Sequence, residues 1–146
     1  MIDFVLRSSS QLTVCGNRGA LVGSTKAKVR AGNGVVVTNL NFADVLVNGT
    51  TVDGNSNFRK GPVIVTQFFL CEFRKQHVAG YLGLEFQLDG QTHYGWAQVA
   101  IDASFGTQTG SMTTTLVDFA YETVPGQEIK TGQTTENLDD AGPADK

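Results

Sequence analysis

Charged side chains are scarce in this sequence: Asp, Glu, Lys and Arg make up 17% of it, against roughly 25% in ordinary soluble domains. The net charge is −3. A chain without a basic surplus has no electrostatic attraction to a nucleic-acid groove or an anionic bilayer, so neither is expected as a partner. No run approaches the ~20 apolar residues that span a membrane. The opening MIDFVLRSSS lacks the basic stretch and long apolar run of a signal peptide. If the protein is exported, its signal lies before Met1. Cysteine is rare as well, with only Cys15 and Cys71. They fit no metal spacing and no CxxC motif, so neither metal nor cofactor is expected. One disulfide across a long loop is compatible with them. The favoured reading is different: in PVIVTQFFLCEFRK, Cys71 shares a strand face with Phe69 and Phe73 and reads as a small buried hydrophobe.

What the sequence has instead is glycine (17 residues) and abundant Thr, Asn, Gln and Ser, the usage of secreted or surface β proteins. Short β-branched or aromatic runs recur between Gly/Asn/Ser punctuation: MIDFVLR, QLTVC, KAKVRA, GVVVTN, PVIVTQFFLCEFRK, GYLGLEFQL, THYGWAQVAID and SMTTTLVDFAYET. The expectation is all-β, an antiparallel, jelly-roll-like β-sandwich. At most one short helix interrupts it, near 41–48, where Asn41 caps the run FADVLV and Asn48-Gly49 ends it. Residues 1–132 form one β domain, and 133–146, whose sole large apolar residue is Leu138, form a disordered tail.

The stretch LEFQLDGQTHYGW holds Asp89-Gly90, a strong signal for a two-residue hairpin turn. That turn pairs Leu88 with Gln91, Phe86 with His93, Glu85 with Tyr94, Leu84 with Gly95 and Gly83 with Trp96. Alternation then sends Leu82, Leu84, Phe86, His93, Ala97, Val99 and Ile101 to the core. The opposite face carries Tyr81, Glu85, Gln87, Tyr94, Trp96 and Gln98. Gly83 faces Trp96 and offers bare backbone to an indole, while Gly95 leaves room for Leu84. Two readings of the aromatic face stay open. Exposed, it is a platform for sugar rings, with amide and carboxylate neighbours for the hydroxyls. Covered, it is a second packing layer, with Gly83, Gly95, Trp96 and Tyr121 as structural anchors. The covered reading is favoured, with the cover supplied by the DFAYETVPG segment or the chain leading from it.

GYLGLEFQLDGQTHYGWAQVAI and LVDFAYETVPGQEIKTGQT resemble the C-terminal half of a family of bacterial exported proteins of unknown function, many of which carry a PEP-CTERM sorting signal. The matching positions are Gly80, Leu82, Gly83, His93, Tyr94, Gly95, Trp96, Ala120, Tyr121, Glu122, Thr123, Pro125, Ile129 and Gly132. FADVLVNGTTVDGNSNF resembles that family's short helix and following loop. The chain departs from the family at its end, NLDDAGPADK, where Pro-Glu-Pro and an apolar anchor helix are absent. IDFVL resembles the end of an acidic, calcium-loop-like segment that Met1 would truncate. The resemblance implies an extracellular or cell-surface location, with polysaccharide or other surface proteins as partners. It implies no activity.

Signals for chemistry are weak. His77 and His93 lie in no nucleophile motif, and His93 reads as a satisfied core residue beside Phe86. Glu85 and Glu122 are the carboxylates near the aromatics, and a glycoside hydrolase would need them at a defined separation across a cleft. Asp53-Gly54-Asn55-Ser56-Asn57 begins like a calcium loop, but Phe58 and Ile64 stand where the loop needs glycine and glutamate, so it reads as a solvated turn. Asn48-Gly49-Thr50 is a formal glycosylation sequon. The sequence therefore points to a non-catalytic exported domain with a structural or adhesive role. A carbohydrate-binding module using the Tyr81/Tyr94/Trp96 face is the alternative, and a glycan-active enzyme is third.

Overall fold

A computed structural model describes residues 4–30, 32–39, 42–71, 74–106 and 109–134. The protein is all-β, and among the described residues there is no helix. The described residues form eleven strands: β1 (Phe4–Cys15), β2 (Arg18–Val29), β3 (Gly34–Asn39), β4 (Phe42–Ala43), β5 (Thr51–Val52), β6 (Phe58–Lys60), β7 (Val63–Cys71), β8 (Arg74–Leu88), β9 (Gln91–Gly106), β10 (Thr109–Tyr121) and β11 (Ile129–Lys130). Nine of them form one sheet in the order β1-β2-β7-β4-β3-β8-β9-β10, with β6 added beside β3, while β5 and β11 make a separate two-stranded sheet. The two layers expected of a sandwich are the two halves of this one sheet, curled nearly into a barrel. The sheet is mixed rather than purely antiparallel, because β4 runs parallel to β7 through Phe42 and Ile64.

The end strands of the sheet meet through hydroxyls. Ser8 Oγ on β1 lies 2.6 Å from Thr114 Oγ1 on β10 and 2.9 Å from Thr25 Oγ1 on β2. Inside the curl, Val29, Val35, Val63, Leu82, Leu84, Phe86, Val99 and Ile101 form the main core. Leu21, Phe68, Leu70, Ala103 and Phe105 continue it toward one end.

A bulge explains how β7 serves this core. Thr25 pairs with Thr66 and Lys26 with Ile64, which leaves Val65 as the extra residue. An inserted residue reverses the alternation. Val63 and Val65 point inward before it; Thr66, Phe68 and Leu70 do so after it. The same shift corrects the reading of Cys71. Its face is the outer one, Phe69 is 54% exposed, and Cys71 is bonded to Cys15 rather than buried as an isolated thiol. Phe73 lies outside the described residues.

The short helix is also corrected. Phe42 and Ala43 form β4, and Leu46 pairs with Tyr81 through two backbone bonds, Leu46 N to Tyr81 O and Tyr81 N to Leu46 O. Ala43 and Leu46, three apart, face different clusters: Ala43 the main core and Leu46 the layer outside it. Their spacing imitates a helical period without a helical face. Asn41 lies outside the described residues.

Just past the boundary expected at residue 132, Gln133 is hydrogen-bonded to Lys130. Gln133 N donates to Lys130 O, and Gln133 Oε1 accepts from Lys130 N. The rest of the expected tail, from 135 onward, lies outside the described residues.

The Cys15–Cys71 bond closes a loop of 56 residues between two strands that both flank β2. In the chain-entropy account a loop of that size contributes about 4 kcal/mol. Replacing both cysteines with serine is expected to lower unfolding free energy by about 3–4 kcal/mol, measured by urea denaturation, with reduction of the wild type giving a similar loss.

Candidate functional site

The β8–β9 hairpin has the register read from the sequence. Glu85 pairs with Tyr94, Gly83 with Trp96 and Leu88 with Gln91. Asp89 and Gly90 both have positive φ, 52° and 77°, the conformation that a two-residue hairpin turn with Gly second favours. Leu84 and Phe86 are buried on the inner face. His93 is buried there too, stacked on Phe86 at 6.0 Å, with its Nδ1 bonded to Glu122 O at 2.9 Å. It is a satisfied core histidine.

The outer aromatic face is covered. Trp96 is 2% exposed and sits in a cluster with Val36, Val52, Tyr94 and Ile129. Tyr81 meets the indole edge-on at 5.3 Å. The lid is the small β5/β11 sheet, where Ile129 pairs with Val52. The turn beyond it completes the cover: Trp96 Nε1 donates to Gln133 O at 2.9 Å. Thr131 fastens this lid from within. Its buried hydroxyl accepts from Thr50 N and donates to Val47 O. The cover thus comes from β5 and from the chain beyond DFAYETVPG, while within that segment Ala120 packs beside the cluster.

Three details differ from the sequence reading. Gly83 is not the seat of the indole, since a methyl there would lie 2.6 Å from Val36 Cγ2 and 3.1 Å from Val52 Cγ2. The glycine makes room for the lid and for β3. Gly95 yields space to β10 rather than to Leu84; its methyl would meet Ala120 O at 2.7 Å and Tyr121 Cβ at 2.9 Å. Tyr121, expected as an anchor of the aromatic layer, packs against the main core instead. It lies edge-on to Phe86 at 5.2 Å, because it leaves β10 on the inner side.

The proposed ligand residues are therefore dispersed in role. Tyr94 and Trp96 are buried, Tyr81, Glu85 and Gln98 are half-buried, and Gln87 is exposed. Gln87 Nε2 donates to Thr92 Oγ1 across the hairpin. With both π faces in the second layer taken up by protein, no sugar platform exists at Trp96 in this structure. Phe58, stacked on Tyr94 at 5.9 Å, and Val52, Ile129 and Gln133 belong to this site and were not legible as such. Nothing in the sequence pairs TTVDG with QEIKTGQ.

Glu85, Tyr94 and Glu122 share one row of the sheet, since Glu122 N donates to Tyr94 O. Two inter-strand steps put the flanking backbones about 10 Å apart. That span resembles the one used by inverting glycosidases, but the buried phenol of Tyr94 stands between the two acids. Glu122 is itself buried, its Oε1 accepting from Val124 N. Elsewhere, exposed His77 Nδ1 is bonded to Asp102 across β8 and β9 on an open sheet surface. Asp53 Oδ1 accepts from Asn55 N within its own turn, and among the described residues no group of acids, histidines or cysteines is arranged to hold a metal.

Burial raises the Glu85 carboxyl above its ordinary 4.5, with Lys60 pulling it back down. Burial also raises the Tyr94 phenol, assisted by the negative charges of Glu85 and Asp53. A carboxyl raised on folding is disfavoured when ionised. Its cost is absent below the unfolded value and fully present above the folded one. Glu85→Gln is therefore expected to raise the melting temperature at neutral pH and to leave it unchanged in acid below pH 4.5. For Tyr94 the unfolded chain releases its proton first, so stability should fall as pH rises above 10.0, with ultraviolet absorbance showing delayed ionisation of one tyrosine.

The single tryptophan is expected to emit at short wavelength and to resist iodide. Trp96→Ala should cost about 3–5 kcal/mol. A red-shifted, readily quenched native emission would contradict the covered site.

No protein family, curated protein or solved structure matches the chain.

Proposed function

We propose that this chain is an exported, non-catalytic β domain with a structural or adhesive role at a bacterial surface or in extracellular matrix. The observation that carries the reading is the Cys15–Cys71 bond. Disulfides form and persist where the surroundings are oxidising and are rare in reducing cytosol. The low charge content and the resemblance of the 80–132 region to exported bacterial proteins support the same location. A non-catalytic role is supported by the aromatic layer, whose carboxylates flank a filled position instead of a cleft. The carbohydrate alternative on the Tyr81/Tyr94/Trp96 face finds no support in the covered geometry.

The thiol state in the native cell tests this. Alkylation with a maleimide polymer before lysis is expected to leave both cysteines unmodified until a reductant is added, in protein recovered outside the cytoplasm. Two freely alkylated thiols in cytoplasmic protein would refute the exported reading.

A further inference from the structure

The overall charge of −3 hides an acid-free region in one half of the sheet. No Asp or Glu occurs from Phe4 to Asn39 or in β7, while β1 and β2 hold Arg7, Arg18, Lys26 and Lys28. Alternation places Arg7, Lys26 and Lys28 on the outer face, since Leu6, Ala27 and Val29 pack inward. Arg7 pairs directly with Lys26, and Lys28 is the next residue along on the same face. All three are exposed, and among the described residues none has an ion-pair partner. Like charges placed directly across a ladder oppose folding. This arrangement therefore gives the fold nothing, and an external anion would relieve it.

The next rows of the same face differ in kind. Ser9, Ser24 and Gln67 form one row, and Gln11, Val22 and Phe69 the next. They line an open depression of about 740 Å³. Phe69 offers a ring that is 54% exposed, surrounded by uncharged amides and hydroxyls. Adjacent rows on one face are about 7 Å apart. A ligand lying along the strands thus meets cations first, then neutral hydrogen-bonding groups, and an aromatic ring about 14 Å from the Arg7/Lys26 row.

We propose that the outer face of β1, β2 and β7 binds a linear acidic polysaccharide, its carboxylates on Arg7, Lys26 and Lys28 and a sugar ring on Phe69. A ligand with hydroxyls, an apolar ring face and carboxylates a sugar length apart uses all these groups. Duplex nucleic acid carries one charge per ~1.7 Å, a density that three cations do not match, and offers no apolar sugar face to Phe69. An anionic bilayer needs a broad apolar face to insert, and here Phe69 stands among amides. The proposal gives the adhesive role above a ligand and rests on that reading for the setting in which the polymer is met. The binding itself is measurable without it.

The test uses the oxidised full chain titrated calorimetrically with polygalacturonate, with neutral dextran, duplex DNA and phosphatidylserine vesicles as controls. Polygalacturonate should bind and dextran should not, and affinity should fall steeply between about 50 and 500 mM salt. The triple variant Arg7→Gln/Lys26→Gln/Lys28→Gln should lose at least about tenfold in affinity. Its melting temperature should stay equal or rise, because a cross-strand repulsion has gone. Phe69→Ala should weaken binding while keeping the salt dependence. Absence of polygalacturonate binding would overturn the proposal, as would binding that the triple variant retains, or equal binding of DNA or vesicles. Self-association abolished by the triple variant, without polysaccharide binding, would assign the face to a second copy instead. If binding fails while the cellular thiols are bonded, the exported reading stands; free thiols with intact binding would remove that reading and leave the face.

Discussion

The β8–β9 ribbon is buried on its inner face and, around Trp96, on its outer face as well, and the remaining elements are arranged by what those two surfaces need. The inner face needs a curled sheet: β1, β2, β7 and β4 come round to cover Leu82, Leu84, Phe86, Val99 and Ile101. The outer face near Trp96 needs a lid, and β5, β11 and the Gln133 turn supply it. An indole buried without a partner for its N–H would leave an unsatisfied donor costing about 1–3 kcal/mol. Here Gln133 O meets that need, so the position of the turn is set by a hydrogen bond as well as by packing.

This explains why the sequence was legible along the hairpin and not across the lid. Asp89-Gly90 and the alternation from Leu82 to Leu88 are local signals, so register, inner face and burial of His93 followed from neighbouring residues. The partners of Trp96 are 37 residues away at Gln133, and Val52 and Ile129 sit on two-residue strands too short to show any period. The same limit misassigned Gly83 and Gly95. A glycine announces that something comes close, but alternation does not say which strand supplies it.

The other failures have equally local causes. One bulged residue, Val65, inverted the expected face of Phe69 and Cys71. Ala43 and Leu46 had helical spacing because two different layers each required one apolar residue there. The disulfide was underweighted since Cys71 was placed in the core, where a thiol needs no partner. Net charge hides local detail in a similar way, because it averages a basic pair of strands, β1 and β2, with acidic residues that lie mostly between and beyond the strands.

The lid has a consequence for the order of assembly. Its tie joins Thr50 to Thr131, 81 residues apart, and closes over a ribbon made complete by Gly106. During synthesis, the ribbon can fold its local hairpin early, since short-range contacts form fastest. Trp96 and Val36 must then face water until Ile129–Gln133 has emerged and docked. For that interval the nascent domain displays an apolar, aromatic strip that the finished protein conceals. The last segment to arrive is thus the one that removes the sticky surface.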